Sequence, residues 1–94
     1  MGVLIMNQAR LISELSEILG ELEMTDGQPR QAEFDLRDSD NFDSISLSMF
    51  TCAIEDRYAV AFSIAELAES DTRLAHIAQM ILGKLERATF GVAV

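Results

Sequence analysis

The chain has 94 residues, 49% apolar and 24% charged, enough for one small globular domain and too apolar to stay disordered throughout. Seven basic and sixteen acidic residues leave a net charge of −9, which repels phosphate backbones and disfavours nucleic-acid binding. A single cysteine, Cys52, and a single histidine, His76, provide neither an internal disulfide nor a zinc cluster, so we expect no metal site and a cytoplasmic location.

The apolar run at residues 3–6 is far too short to span a membrane and lacks the basic flank of a secretion signal, so neither a membrane segment nor a targeting signal is expected. The first helical pattern follows at residues 8–24. It predicts an amphipathic helix whose glutamates form a solvated face. Its apolar stripe is Leu11, Leu15, Ile18 and Leu22, with Ile12 and Leu19 beside it, and the glutamates off the stripe are Glu14, Glu17, Glu21 and Glu23.

Residues 25–43 are rich in Asp, Gly, Ser and Asn and contain the only proline, Pro29, so they are predicted to form a long loop. Its expected apolar anchors are Phe34, Leu36 and Phe42. A structureless loop of this length is uncommon in a compact domain and is usually functional or specific to a fold.

Three further helices are predicted. The second begins after Asp43, and the third, at residues 64–69, is short and starts from the capping-box spacing of Ser63 and Glu66. The fourth is expected to be capped by Asp71 or Thr72. The predicted buried faces are Leu47, Phe50, Thr51, Ile54 and Tyr58 on the second helix, and Leu74, Ile77, Ala78, Ile81 and Leu85 on the fourth.

The sum is an all-α fold, a small four-helix bundle with three longer helices, one short helix and a long loop between the first two. We expect a single domain over residues 1–94, with its core at about 8–87. The tail at 88–94 has no clear period and is expected to be loosely held.

Asp43 and Ser44 open the second helix. Asp43 has the residue type of an N-cap, which would put Ser44 at the first helical position with its hydroxyl outward, near the positive end of the helix dipole. A phosphate ester on that hydroxyl would be stabilised there. Taken alone, however, the dipeptide is more simply a cap without further function.

The order of elements around this dipeptide resembles the acyl carrier protein family, including peptidyl carrier proteins. In that family a G-x-D-S-L motif carries 4′-phosphopantetheine on its serine, and residues 41–45 stand at the motif here. The resemblance covers about residues 8–85. Further positions that match the family's pattern are Phe50, Ala53, Ile54, Glu55 and Tyr58 on the second helix and Leu67, Leu74 and Ile81 beyond it.

Four positions depart from the family pattern. Asn41 replaces the motif's glycine, although asparagine tolerates the left-handed backbone. Ile45 replaces leucine with similar size. Ser46 and Met49 stand where the family often has acidic residues that contact partners, which puts the usual partners in question.

The resemblance implies a carrier that is not itself an enzyme. A phosphopantetheinyl transferase would load Ser44 from coenzyme A, and Asp43 would mark the attachment point. The arm would hold an acyl or aminoacyl thioester, supplied by a loading enzyme and used by a synthase or transferase. We expect a monomer whose partners contact Ile45 and Met49 as an apolar pair, and Glu55 and Asp56 as acidic residues. This pattern suggests a specialised biosynthetic pathway.

Other readings stay open at this point. The chain could be an unmodified acidic helical adaptor. Met49 could equally be a partly buried methionine without a contact role. Ser44, His76 and an aspartate could be written as a catalytic triad, but nothing around Ser44 resembles a nucleophile elbow. Cys52 has no local base or cation to activate it, so a small partner-facing residue is preferred.

Overall fold

The computed structural model describes residues 7–69 and 71–93, with side chains as far as residue 87. It contains four α-helices, α1 (Gln8–Glu21), α2 (Ser44–Tyr58), α3 (Ile64–Ala68) and α4 (Leu74–Ala93), and a 3₁₀ turn at Leu36–Asp38. No β-strand occurs in the described ranges; Asp35 and Arg73 form an isolated antiparallel bridge. The predicted all-α architecture of three longer helices and one short helix is therefore confirmed.

The core lies between α1, α2 and α4, with α1 packed most extensively on α4. The seven positions at its centre are all buried, as their helical spacing predicts. Burying such side chains drives the helices together, because each is worth roughly 1.5–3 kcal/mol relative to exposure. The central residues are Leu15, Ile18, Phe50, Ile54, Leu74, Ile77 and Ile81.

The faces of α2 and α4 are largely as expected. Every predicted inward residue of α2 is buried, and so are four of the five on α4, while Leu85 is partly buried. The capping box at the start of α3 is present: Ser63 Oγ accepts from the Glu66 N–H, and the Glu66 carboxylate accepts from the Ser63 N–H at 3.0 Å. Helix α3 ends at Ala68, one residue before the predicted end.

Helix α1 is shorter than predicted. It ends at Glu21 because the chain turns through a left-handed residue, Glu23, with φ 60°. The Met24 N–H donates to the Leu19 carbonyl at 2.9 Å and the Glu23 N–H donates to the Gly20 carbonyl at 3.1 Å. This pair of bonds is a Schellman motif, in which glycine usually takes the left-handed position. Without a glycine there, the sequence carries no stop signal.

The segment between α1 and α2 is ordered by hydrogen bonds to other parts of the fold. Ser16 on α1 accepts the Arg30 N–H at 2.8 Å, and the Asp40 N–H donates to the Met24 carbonyl at 2.8 Å. Leu36 is fully buried, Phe34 is partly buried against the core, and Phe42 is 43% exposed. The expected anchoring role is thus confirmed for Leu36 and Phe34 and wrong for Phe42.

The same segment completes the start of α4. The N–H groups of Leu74 and Ala75 donate to the carbonyls of Phe34 and Ala32, at 2.9 and 3.0 Å. The Thr72 hydroxyl instead donates to the Asp35 carboxylate. Asp71, the other expected cap, accepts the Arg73 N–H directly before the helix at 3.0 Å, while loop carbonyls receive the first N–H groups of α4 itself.

Two sequence predictions concern the ends of the chain. The backbone of α4 is helical through Ala93, although the sequence shows no period after Arg87. Val94 and the side chains of 88–93 lie outside the described residues, and loose attachment of that tail stays a prediction. The apolar run at 3–6 also lies outside them. Within the described chain, no helix is both long enough and apolar enough to cross a membrane.

Candidate functional site

The start of α2 has the geometry expected from its first two residues. Asp43 is the N-cap, with extended backbone angles of φ −126° and ψ 171°, and its Oδ1 accepts from the Ser46 N–H at 2.7 Å. Ser44 is the first helical residue and is exposed. Among the described residues, nothing hydrogen-bonds the Ser44 hydroxyl, so it faces solvent without a partner in the fold.

Asp43 stays ionised in this position. The Ser46 N–H lowers the pKa of the Asp43 carboxyl, and the Ser46 hydroxyl and the Ile45 N–H add to the shift. The carboxylate thus occupies the Ser46 N–H at the start of the helix. A phosphate ester on Ser44 would still meet the positive end of the dipole, but it would not receive the Ser46 N–H.

Three large apolar side chains are exposed beside Ser44. They are Phe42 at 43%, Ile45 at 74% and Met49 at 48%, and they are all the exposed large hydrophobic residues among the described side chains. Ile45 and Met49 are one helical turn apart, so they share a face of α2. We call these three residues the apolar face. At 48% exposure Met49 is about half buried, which fits both an apolar contact surface and the alternative of a partly buried methionine.

The loop before α2 is fixed to the end of α1. The Asn41 side-chain amide donates to the Glu23 carbonyl at 2.9 Å, which holds the segment leading to Ser44 against the turn after α1. Asn41 does not have a positive φ, so the left-handed backbone allowed for this position is not used. Asparagine acts here through its side chain.

The two acidic residues expected to contact partners lie at the other end of α2. Glu55 and Asp56 are exposed and lie 11 and 12 residues after Ser44, roughly 16–18 Å along the helix. The Glu55 carboxylate accepts from the Phe62 N–H at 2.9 Å. Glu55 therefore stabilises the turn between α2 and α3, and its role in partner contact stays a prediction, as does that of Asp56.

The remaining candidate residues do not join Ser44 in one site. Cys52 is exposed, two turns along α2 and about 12 Å from Ser44 by helical rise. His76 lies on α4, where its backbone N–H donates to the Arg73 carbonyl. Among the described residues, no group of three or more His, Cys, Asp or Glu side chains is arranged to hold a metal ion.

Sequence reasoning missed two features. Phe42 belongs to the exposed surface, and no signal in the sequence marked it, because it lies outside any periodic stripe. Glu14 was placed on a solvated face, but its carboxylate accepts from the Tyr58 hydroxyl at 2.6 Å. Only the packing of α1 against α2 reveals that bond.

Comparison with family models, with curated proteins and with solved structures finds no match for this chain.

Proposed function

We propose that this protein is a carrier that holds acyl or aminoacyl groups as thioesters on a 4′-phosphopantetheine arm attached to Ser44. The observation that supports this most directly is a free, exposed hydroxyl at the first position of α2, next to the exposed apolar face. A transferase could approach an exposed hydroxyl at this position without first breaking a bond within the fold.

The residues present fit such an arm. In the attachment step the Ser44 oxygen forms a bond to the β-phosphorus of coenzyme A, the pyrophosphate bond breaks, and adenosine 3′,5′-bisphosphate leaves. A base on a phosphopantetheinyl transferase takes the hydroxyl proton. Asp43 fixes the helix start that presents Ser44, because its carboxylate is bonded to the Ser46 N–H. The arm supplies the thiol that carries the cargo.

The carrier passes its cargo between other proteins. A loading enzyme forms the thioester, and a downstream synthase or transferase consumes it, so the carrier itself needs no catalytic residues. We assign this protein to a specialised pathway because of the first two turns of α2. They expose Ile45 and Met49, and no acidic residue occurs from Ser44 to Phe50.

The test of attachment is to incubate the protein with coenzyme A and a broad-specificity phosphopantetheinyl transferase, and to locate the added mass. We expect one phosphopantetheine on Ser44, none on Ser44→Ala, and full modification of the matched Ser46→Ala and Ser48→Ala variants. Addition to Ser44→Ala, or no addition to the wild type, would overturn the proposal. No addition would favour an unmodified adaptor, whose contact surface the apolar face could also form.

The test of the specialised pathway compares the loaded protein with a general fatty-acid carrier as substrate for a general ketosynthase. We expect the loaded protein to be used at least about tenfold less efficiently, because its α2 lacks the acidic contacts that speed an encounter. Ser46→Asp with Met49→Glu should improve its use. Equal efficiency for the two carriers, falling equally with salt, would contradict this part of the proposal.

A further inference from the structure

The stretch of chain around Ser44 is exposed from end to end. Every residue from 41 to 45 is exposed, and the first buried side chain of α2 is Leu47. The bond of the Asp43 carboxylate to the Ser46 N–H is local to the same helix. Burial therefore fixes α2 from Leu47 onward, and it does not hold the residues that lead into Ser44.

Two bonds tie the front of this stretch to the turn after α1. The Asp40 N–H donates to the Met24 carbonyl at 2.8 Å. The Asn41 side-chain amide donates to the Glu23 carbonyl at 2.9 Å. Met24 is fully buried, so the turn that accepts both bonds is itself anchored in the core. We call these two bonds the loop clamp. Among the described residues, the Asn41 bond is the only hydrogen bond from residues 41–45 to a segment outside α2 and its cap.

Neither burial nor backbone geometry explains an asparagine at position 41. The side chain is exposed, so it adds nothing to the core. Its φ is not positive, so the position does not require a residue that tolerates left-handed backbone. What the side chain contributes is a bond across eighteen residues of sequence, three positions before Ser44. Such a bond limits the conformations of the short segment that leads into the attachment point.

We infer that Asn41 is a positioning residue for the modification of Ser44, because its amide holds the loop side of the attachment point in the arrangement that a transferase meets. This inference rests on the proposed function. The clamp acts on the free protein, before the transferase docks. When only a fraction of molecules has the competent loop, the apparent affinity falls in proportion to that fraction, while docked molecules react as before. Loss of the amide should therefore raise KM for the carrier and leave kcat unchanged.

The test measures KM and kcat for phosphopantetheine transfer from coenzyme A by a broad-specificity transferase. One such hydrogen bond shifts a conformational equilibrium by about tenfold at most. We expect Asn41→Ala to raise KM about two- to fivefold, with kcat within about 1.5-fold of the wild type. Asn41→Gly should raise KM further, since glycine lacks the amide and adds backbone freedom. If asparagine only stood in for the glycine of the G-x-D-S-L motif, Asn41→Gly would react at least as well as the wild type.

The matched control is Asn7→Ala, because Asn7 and Asn41 are the two asparagines of the sequence. Asn7 also makes one exposed side-chain bond, accepting the Arg10 N–H at 2.8 Å as the N-cap of α1. It lies at the far end of α1 from Glu23, roughly 20 Å along the helix. Loss of this cap should lower the thermal midpoint at least as much as Asn41→Ala does, yet leave KM and kcat as in the wild type. The control thus separates stability from positioning.

Amide hydrogen exchange in the unmodified protein, followed by NMR, tests the clamp directly. Asn41→Ala should speed exchange of the Asp40 N–H at least about threefold and leave the buried helices unchanged, because the opening is local. Thermal melts establish that each variant is folded.

Several results would overturn this inference alone, with a wild type that is modified on Ser44. They are a KM in both Asn41 variants within about 1.5-fold of the wild type, an equal rise of KM in Asn7→Ala, a fall of kcat at constant KM, and unchanged exchange of the Asp40 N–H. A wild type that is not modified at all overturns the proposed function, and the positioning role falls with it.

Discussion

The two ends of α2 differ in what holds them. At the carboxyl end, Tyr58 is buried and its hydroxyl donates to Glu14 on α1, while Glu55 accepts the Phe62 N–H. At the amino end, the bond from the Ser46 N–H to Asp43 is local to the helix, and the side chains of Ser44 and Ile45 extend into solvent. Side chains of α2 itself make the bonds that hold its carboxyl end, whereas its amino end is held through the preceding loop, by the bond from Asn41 to the Glu23 carbonyl, and exposes its own first side chains.

This difference shows how one helix can serve both the fold and a function. Tertiary bonds at the carboxyl end and burial along the inner face set the position of α2 in the bundle. The amino end can then expose the Ser44 hydroxyl and apolar side chains at little cost to stability. Mutations at the two ends should therefore separate effects on stability from effects on modification.

The largest difference is expected between the inner and outer faces of α2. Ile54 is fully buried, so Ile54→Ala should lower the free energy of unfolding by about 2–5 kcal/mol through lost burial and a cavity. Met49→Ala, on the outer face, should change it by less than about 0.5 kcal/mol. Urea unfolding followed by circular dichroism measures both. Similar losses of stability in the two variants would show that the inner and outer faces of α2 are assigned wrongly.

The next largest effect is expected at the carboxyl end. Tyr58→Phe removes the hydroxyl that donates to Glu14 at 2.6 Å, and should cost about 1.5–3 kcal/mol because the acceptor is charged. Ser44→Ala at the amino end is the control and should leave the unfolding midpoint nearly unchanged. A loss in Ser44→Ala as large as that in Tyr58→Phe would contradict the contrast between the ends.

The same bond predicts a pH dependence. Burial raises the pKa of Glu14, but the Tyr58 hydroxyl and Arg10 more than offset it, so the pKa lies below its ordinary value of 4.5. A carboxyl with a lowered pKa stabilises the fold above its unfolded pKa, and the stabilisation is lost as the pH falls through the folded pKa. The difference in stability between wild type and Tyr58→Phe should therefore narrow below about pH 4.5. A difference that is constant from pH 7 to pH 3 would show that ionised Glu14 is not the acceptor.

The smallest effects are expected at the C-terminal ends of α1 and α2, where one residue has left-handed backbone angles. Glu23 and Ala59 have φ values of 60° and 55°, which cost an L-residue more than glycine. Glu23→Gly and Ala59→Gly should each raise the free energy of unfolding by about 0.5–1 kcal/mol, after the entropy of glycine in the unfolded chain is subtracted. Thermal melts measure these changes. The control is Ala61→Gly, because Ala61 has no positive φ, and it should be neutral or destabilising. Destabilisation by both of the first two variants would argue against left-handed backbone there.

Much of the site could be predicted because it depends on neighbours in sequence. The cap at Asp43 and the outward position of Ser44 need only the first turn of α2. Exposure of Ile45 and Met49 follows from the same periodicity that buries Leu47 and Phe50. Phe42 could not be placed in this way, because no helical period extends through the loop. Whether the Phe42 side chain is buried depends on whether Leu36 and Phe34 already fill the core.

From the sequence alone, the inner faces of α2 and α4, the capping box of α3 and the excess negative charge of the chain are determined, since each depends on residue type and local spacing. Only the tertiary structure decided that Glu14 bonds Tyr58 and that Glu55 bonds the Phe62 N–H. It also joined the loop before α2 to the turn after α1, through the bond from the Asn41 amide to the Glu23 carbonyl. The physical reason is that hydrogen bonds and charge clusters depend on distances between segments remote in the chain, whereas a helical stripe is a property of one segment.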